Sequence, residues 1–508
     1  MIPSDGAAGE PRVPEESLAR KAIKGGVWVA GLRIVSELFV VGRLLILAHL
    51  LAPAAFGVMG IALLTLEILD TFSQTGFESA LIQKKGSIGD YLNSAWTLMI
   101  VRGVALFGAL FLVAPVAAQF FNESAATPVI RVVGLTLVIQ ALTNIGIVYL
   151  DKDLVFSKVF LYEFSSELAS FVATVTLAFL WRSVWALVLG LLVKRVTALI
   201  MSYVVSTYRP RLDYDIGKAK ELWAFGRWIT GSRVLLFLAT QGDDIGVGRV
   251  LGTTTLGYYQ MAFRIANVPA TEIAHTISKV TFPAYARLQD NLGRLKDAFL
   301  RTLTFTAFLS APVTALIIVL ATDFVLIFLG AKWLPIVAPM QIIALTGLAR
   351  AISSTTNPVF QATNKPYIDT QWATIRFVIM AVLIFPMTRQ WGMVGASWAV
   401  FVSMFVSTVA FCIRVVAITM CGWRAFSRAM ILPLLGSMAS MGSVLLLRTN
   451  LHDVGFWQFL LLAAAGGFVY LAITLGGDLV LNTGLRPTLG DILTNFRHQR
   501  QPGAIESV

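Results

Sequence analysis

The sequence predicts an all-α polytopic membrane protein with about 14 transmembrane helices, each needing about 20 apolar residues. Hydrophobic residues make up 57% of the 508 residues and charged residues only 13%. Mean hydropathy is +0.76, which is more apolar surface than a water-soluble core of this length buries. The apolar residues also form unbroken runs, without the alternation of a membrane β-barrel, so the crossings are predicted to be helical.

The predicted spans are separated by polar or turn-forming residues. In order, we place them at residues 25–50, 55–82, 94–118, 128–150, 159–181, 184–207, 223–250, 255–282, 299–328, 334–360, 367–388, 392–419, 427–448 and 455–480. Residues 1–24 have mixed charges and early Pro and Gly, and are predicted to be a cytoplasmic tail. The first apolar run is longer than the h-region of a signal peptide, so no cleavage is expected.

The loops between the spans alternate in basic content. Loops numbered even from the N-terminus share a surplus of Lys and Arg, and they hold Arg20, Lys21, Lys24, Lys84, Lys85, Lys152, Lys158, Arg209, Arg211, Lys218, Lys220, Arg287, Arg294, Lys296, Lys365 and Arg424. The odd loops offer chiefly Arg182, Lys332 and Arg389. This alternation predicts that both termini are cytoplasmic and that the number of spans is even. The net charge of +12 is therefore an orientation signal, and no basic extramembrane domain is left for binding nucleic acid.

An internal repeat relates the two halves of the chain at an offset of 200 residues. Identical residues recur as Trp28 and Trp228, Gly31 and Gly231, Arg33 and Arg233, Gly42 and Gly242, Leu51 and Leu251, and Gly57 and Gly257. Because six predicted spans separate the first helix from the seventh, the repeat is expected to be parallel, with a pseudo-twofold axis along the membrane normal. The predicted architecture is two six-helix lobes plus two C-terminal helices.

The corresponding boundaries follow from the repeat and the loops. They are a cytoplasmic tail at 1–24, an N-lobe at 25–207, a cytoplasmic linker at 208–222, a C-lobe at 223–420, the last two helices at 421–480 and a second cytoplasmic tail at 481–508. The linker is basic and rich in turn-forming residues. The last two helices have no counterpart in the repeat, so we expect them to pack outside it.

Many charged residues fall inside the predicted spans, where each costs about 2.5–3.5 kcal/mol at a helix centre unless it faces protein or a wet cavity. They are Arg43, Glu67, Asp70, Lys194, Arg195, Arg233, Asp243, Asp244, Arg264, Glu272, Arg350 and Arg376. Spacings of three and four residues predict polar faces on three helices. These faces comprise Glu67, Asp70, Gln74 and Glu78; Arg264, Asn267, Thr271, His275 and Lys279; and Arg350, Ser353, Asn357 and Gln361.

Two interpretations of these charges remain open. They can line a polar cavity that receives a substrate, or they can form buried ion pairs that join helices. Asp243 or Asp244 with Arg249 is a candidate for a local pair of the second kind.

Three motifs carry a resemblance to a known family. The segments LAPAAFG from Leu51, GFESALIQ from Gly76 and LGYYQMAFRI from Leu256 resemble the polysaccharide-transporter branch of the multidrug/oligosaccharidyl-lipid/polysaccharide (MOP) flippase superfamily. Within that branch the chain is similar to the Wzx-type flippases, over nearly its whole length.

The resemblance implies a bacterial inner-membrane flippase that moves an undecaprenyl-pyrophosphate-linked oligosaccharide to the periplasmic leaflet by alternating access. Such a protein serves exopolysaccharide or lipopolysaccharide biosynthesis, and the implied partners are the lipid-linked oligosaccharide, membrane lipids and a polysaccharide polymerase or co-polymerase complex. In the related lipid II flippases, arginines on the first, second and eighth helices engage pyrophosphate. Arg33 and Arg264 match the first and eighth, whereas the second helix has Glu67 and Asp70.

Guanidinium groups bind pyrophosphate oxygens in bidentate fashion. The predicted substrate-binding residues are accordingly the arginines Arg33, Arg43, Arg233, Arg264, Arg350 and Arg376. Glu67, Asp70 and His275 are predicted to be polar cavity residues that couple transport to H⁺ or Na⁺, with no bound cofactor or metal.

Two other classes of function are less well supported by the sequence than a flippase. A multidrug or small-molecule cation antiporter of the same superfamily would be expected to have a net acidic cavity. A membrane glycosyltransferase, polymerase or ligase would need catalytic residues in a sizeable extramembrane loop. The sequence also has no Walker motif and no metal-ligand cluster, so an enzyme is not expected.

Overall fold

The computed structural model describes residues 38–73, 89–152, 155–213, 234, 237–451 and 454–481. Side chains are described for these residues except 89–91, 151, 152, 156, 268–276, 279, 280 and 481. All regular structure in these ranges is helical. The α-helices are α1 (Leu38–Leu50), α2 (Pro53–Ser73), α3 (Gly89–Phe120), α4 (Ala126–Ala141), α5 (Ile147–Lys152), α6 (Phe156–Trp181), α7 (Val184–Val205), α8 (237–251), α9 (Thr253–Leu288), α10 (Leu292–Phe328), α11 (Val337–Ala362), α12 (Tyr367–Thr419), α13 (Gly422–Arg448) and α14 (Phe456–Leu481). A 3₁₀ helix, Ala331–Ile336, precedes α11.

Within the described ranges, 9 helical segments are long and apolar enough to cross a membrane. One of them, α12, has 53 residues and contains a break at Gly392, where φ is 60° and ψ is −139°. A straight helix of that length would extend about 80 Å, whereas the hydrocarbon core is about 30 Å thick. Glycine adopts this positive φ without a Cβ penalty, so α12 is two crossings, as the predicted spans 367–388 and 392–419 indicate. The all-α, multi-pass membrane class is confirmed.

One predicted span, 128–150, is wrong as a single helix. The structure divides it into α4 and α5 between Ala141 and Ile147. The side-chain Oδ1 of Asn144 accepts a hydrogen bond from the backbone N–H of Gly146 at 2.8 Å, and the backbone N–H of Asn144 donates to Ser202 Oγ at 3.0 Å. These local bonds favour a turn over a continuous helix because they satisfy backbone groups outside the helical pattern.

The helices group into two compact units. Among the described residues, the first comprises 38–52, 61–73, 89–119, 123–152 and 155–213, and the second comprises 53–60, 120–122, 234, 237–451 and 454–481. In the described part of the first unit, α6 packs along α7, and α7 also packs against α4. Small and apolar side chains such as Ala178, Ala186 and Val188 are fully buried there.

The second unit is built around α11. This helix packs against α9, α10 and α12, and buries Phe360 among Phe299, Phe411 and Val415. The last two helices, α13 and α14, pack against each other and against α10.

The first turns of α2 and α9 cross at very short range within the second unit. A Cβ added to Gly57 would lie 1.8 Å from the carbonyl oxygen of Thr253. Reciprocally, a Cβ added to Gly257 would lie 2.1 Å from the carbonyl oxygen of Pro53. Small residues permit such an approach of helix backbones in membranes. Because residues 53 and 57 meet 257 and 253, the contact is locally twofold and has the 200-residue offset of the sequence repeat.

Candidate functional site

A charged cluster joins three helices of the first unit. On α1, Arg43 Nη1 donates to Ser170 Oγ at 2.8 Å and lies 3.9 Å from Glu167 Oε2, both on α6. Lys194 on α7 forms an ion pair with the same carboxylate. The three charged side chains are only 21%, 14% and 33% exposed, in the order Arg43, Glu167 and Lys194. One carboxylate therefore serves two cations, and the cluster has a net charge of +1.

Arg195, beside Lys194 on α7, adds a further cation to the first unit. Its Nε is buried and has no hydrogen-bond partner in the part of the chain that the structure describes. A buried N–H without an acceptor loses its hydration without compensation, so an acceptor supplied by a ligand would be favourable there.

Asp70, predicted to be a cavity carboxylate, is paired in the structure. Arg102 on α3 contacts Asp70 Oδ1 through Nη2 at 2.5 Å. The same guanidinium donates to the backbone carbonyls of Asp70 and Ser73, each at 3.0 Å. Arg102 thus also binds backbone carbonyls of α2. Glu67, one turn earlier, is exposed on α2.

The second unit has a cluster around Asp243 on α8. This side chain is 3% exposed and accepts a hydrogen bond of 2.7 Å from Tyr259 Oη on α9. The adjacent Asp244 accepts from Gln260 Nε2 at 3.1 Å. The carboxylates of α8 are thus held by polar side chains of α9.

Two arginines predicted to bind substrate are brought together at this cluster. Arg350 on α11 and Arg376 on α12 interact electrostatically with each other and with Asp243. Arg376 Nη1 lies 3.4 Å from Met404 Sδ. Neither guanidinium forms an ion pair within 4 Å in the described ranges, and the Nε of each is buried without a hydrogen-bond partner there. With Asp244 included, the cluster contains two arginines and two aspartates and has no net charge.

The remaining predicted site residues are placed less completely. Arg33 and Arg233 lie outside the described residues, and so does the side chain of His275. Arg264 is exposed on α9, whereas Asn267, three residues on, is buried. The predicted cavity bordered by Arg33, Glu67, Arg233 and Arg264 stays a prediction.

Sequence reasoning did not single out three residues of these clusters. Glu167 and Arg102 lie 27 and 32 residues from partners on other helices, and Tyr259 lies 16 residues from Asp243. A local spacing rule reaches only one helical turn. A comparison of depths in the membrane could have found them. Each of the three residues has, on another predicted span, a residue of opposite charge or hydrogen-bonding capacity at a similar depth.

Groups of three or more His, Cys, Asp or Glu able to hold a metal do not occur among the described residues. Cys412 and Cys421 are both free and buried.

A multi-pass bundle of apolar helices with charged clusters between them defines an integral membrane protein. A family model described as polysaccharide biosynthesis protein matches residues 46–338, more than half of the chain. The chain belongs to this polysaccharide biosynthesis protein family.

Curated relatives carry related names. The chain is 27% identical over 349 residues to the lipopolysaccharide biosynthesis protein WzxC of Escherichia coli (strain K12), covering 68% of this chain and 70% of the relative. It is 24% identical to the succinoglycan biosynthesis transport protein ExoT of Rhizobium meliloti (strain 1021), covering 70% and 75% of the two chains.

Solved structures support the fold. The lipid II flippase MurJ in an inward closed conformation aligns with a TM-score of 0.72 and 17% identity, covering 90% of this chain and 99% of that one. An inward-facing multidrug resistance MATE family transporter of the MOP superfamily aligns with a TM-score of 0.59 and 15% identity, covering 76% and 96%. At these identities the likeness concerns the fold alone.

Proposed function

We propose that this protein is a flippase for lipid-linked oligosaccharides of polysaccharide biosynthesis. The substrate is an undecaprenyl-pyrophosphate-linked repeat unit, moved across the bacterial inner membrane by alternating access. The family supports the pathway, and the relatives named as a transport protein and a flippase support the transport step.

The observation that carries the proposal is a set of arginines whose Nε atoms are buried without an acceptor. Arg195, Arg350 and Arg376 each have a buried Nε with no hydrogen-bond partner among the described residues. A cation in an apolar bundle is costly unless it is paired. Pyrophosphate and sugar carboxylates supply several charged oxygens at once, which are strong acceptors for guanidinium N–H groups.

The charge balance also separates this function from cation antiport. The group formed by Arg43, Lys194 and Glu167 has a net charge of +1, and Arg195 beside it adds a further cation, whereas Arg350 and Arg376 are balanced by Asp243 and Asp244. A group with such a net charge attracts anions and repels organic cations. The similarity to a MATE transporter is therefore one of fold alone. The cationic group of the first unit favours an anionic substrate.

The topology, partners and coupling belong to the same proposal. Both termini face the cytoplasm, because the even-numbered loops hold the basic residues. A polymerase or co-polymerase complex receives the translocated unit in the periplasm. Coupling to H⁺ or Na⁺ uses carboxylates such as Glu67, whereas Asp70 is engaged by Arg102.

The test is to delete the gene and analyse the lipid-linked intermediates of the inner membrane. We expect oligosaccharide to accumulate on the cytoplasmic face, and the wild-type gene to clear it. Arg350→Gln and Arg376→Gln should each reduce export about tenfold or more, because each removes charge-assisted hydrogen bonds to the load. Arg389→Gln, at an exposed position, is the matched control and should export normally.

Two results would overturn the proposal. One is an unchanged set of lipid-linked intermediates with altered tolerance to cationic drugs, which identifies an antiporter. The other is normal export by both arginine variants at normal protein levels, which removes the buried cations from substrate binding.

A further inference from the structure

A cavity of about 600 Å³ lies at the ends of α10 and α13 in the second unit, apart from the clusters around Asp243. Its volume is within the range of small-molecule sites, about 300–1,000 Å³. The walls are mostly aliphatic, and the lining consists of Asp323, Leu326, Ile327, Leu445, Arg448, Thr449, Leu451 and Val454. Such a lining offers one Asp–Arg ion pair and a large apolar surface to a ligand.

The charged part of the lining is an ion pair between α13 and α10. Arg448 Nε lies 2.9 Å from Asp323 Oδ2, and Arg448 Nη2 donates to Asp323 Oδ1 at 3.1 Å. Asp323 is 4% exposed, so its carboxylate is buried behind the guanidinium. Arg448 is more accessible, with its side chain 37% exposed, and its Nη1 has no partner among the described residues. A buried carboxylate thus orients an arginine that keeps free N–H donors toward the cavity.

The position of the cavity matches the boundary between hydrocarbon and water. Helix α13 ends at Arg448, and α14 begins at Phe456. Aromatic rings gather beside it: Phe328 packs against Phe456 and Phe459, with centroids 5.9 and 5.5 Å apart, and Trp457 is 75% exposed. Trp side chains concentrate at the level of the lipid headgroups, so the exposed Trp457 is the ring that indicates this level. The basic-loop pattern predicts this end of α10 and α13 to be periplasmic.

We propose that this cavity binds a membrane phospholipid, with the phosphate on Arg448 and the first carbons of an acyl chain along the leucine walls. A guanidinium with free donors recognises a phosphate. The aliphatic side chains of Leu326, Ile327 and Leu445 do not stabilise a free anion, but an acyl chain packed against them would bury their apolar surface. The site is independent of the flippase load, because its polar group lies at a helix end and shares no residue with the other clusters.

The test measures lipid binding by the full-length protein purified in detergent, with thermal stabilisation and native mass spectrometry as readouts. Three probes separate the sources of affinity: dioleoyl phosphatidylglycerol, dioleoylglycerol with the same chains and no phosphate, and inorganic phosphate alone. We expect only the phospholipid to stabilise the protein and remain bound. Equal stabilisation by dioleoylglycerol would show that the phosphate is not recognised, and equal stabilisation by inorganic phosphate would show that the acyl chains are not. Either result would overturn the proposal.

Variants localise the effect. Leu445→Trp fills the cavity, whereas Leu446→Trp places the same ring at the neighbouring position, which is 70% exposed and outside the lining. We expect the first to weaken phospholipid binding about tenfold and the second to leave it unchanged. Equal effects would identify nonspecific annular lipid.

A second variant removes the charges without leaving a buried carboxylate unpaired. The double variant Asp323→Asn with Arg448→Gln shortens only the partly exposed arginine side chain and should fold, because both members of the pair are neutralised together. It should lose preference for phosphatidylglycerol over dioleoylglycerol. Retention of that preference would assign the phosphate to another residue.

Discussion

Tyr259 donates a 2.7 Å hydrogen bond to Asp243, and this bond joins α8 to α9 inside the second unit. Tyr259 is 0% exposed and Asp243 3% exposed. Because water does not reach the pair, each group depends on the other for its hydrogen bond. Arg350 and Arg376 act on the same carboxylate through charge, so this one hydrogen bond helps fix the position of the local negative group between two cations.

Tyr259→Phe should lower stability by about 1–3 kcal/mol, because it leaves the buried Asp243 oxygen without its hydroxyl donor. The adjacent Tyr258→Phe is the control, since that hydroxyl donates to the Lys332 carbonyl at 3.0 Å in an exposed position, and the expected change is below about 0.5 kcal/mol. Thermal unfolding of the purified variants at one scan rate measures both. Equal shifts would mean that the buried bond contributes no more than the exposed one.

Glu167→Gln should destabilise the first unit, because it leaves Arg43 and Lys194 close together with no carboxylate between them. We expect a loss of about 2 kcal/mol, below the 3–5 kcal/mol of fully buried pairs because these side chains retain some exposure. Adding Lys194→Met removes one of the two cations and should recover part of the loss. A double variant as unstable as the sum of the single variants would show that the two residues do not interact.

Gly57→Ala and Gly257→Ala should destabilise the protein by similar amounts, about 1–3 kcal/mol each. Each new methyl group would meet a backbone carbonyl, that of Thr253 in one case and Pro53 in the other, and backbone atoms move only if the helices separate. Gly60→Ala is the comparison variant, since its Cβ would meet the end of the Gln260 side chain at 2.2 Å, and this side chain can move at the cost of its hydrogen bond to Asp244 without separating the helices. Thermal unfolding ranks the three variants, and a larger effect at Gly60 than at Gly57 would contradict the crossing geometry.

The helical architecture was largely predictable because bilayer thickness sets the length of an apolar run. The span 159–181 ends where α6 ends, since Arg182 adopts φ 47° and Ser183 is extended before α7 begins. The predicted ends of a span differ from the ends of the helix where the helix continues beyond the apolar run into polar residues. Helix α10 begins at Leu292, seven residues before the predicted span, because Asn291 accepts a capping hydrogen bond from the Arg294 N–H at 3.0 Å.

The clusters were predictable only in part. The cost of a membrane charge identified Arg43, Arg350 and Arg376 as special, but it did not identify their neighbours. Arg43 reaches Ser170 across 127 residues of sequence, and only the packing of α1 on α6 decides that contact. Asp70 illustrates the converse, since its spacing on α2 suggested a cavity face and its actual partner is Arg102 on the next helix.

The topology can be tested with single cysteines at two described turns. Asn291→Cys should be protected from a membrane-impermeant maleimide in intact cells, and Glu123→Cys should be labelled, because the basic loops place the first in the cytoplasm and the second in the periplasm. The native Cys412 and Cys421 are buried and provide a low background. Labelling at position 291 with protection at position 123 would show that the protein has the opposite orientation in the membrane.

The glycine crossing also has a consequence for how the two halves of the gene can diverge. Gly57 lies against the backbone of Thr253, four residues before Gly257, and Gly257 lies against the backbone of Pro53, four residues before Gly57. A larger residue at either position therefore disrupts the same contact between the helices. After a duplication, most pairs of equivalent positions are free to drift separately, and this pair is not. Mutational tolerance at position 57 should therefore mirror that at position 257, even where the surrounding residues of the two copies no longer match.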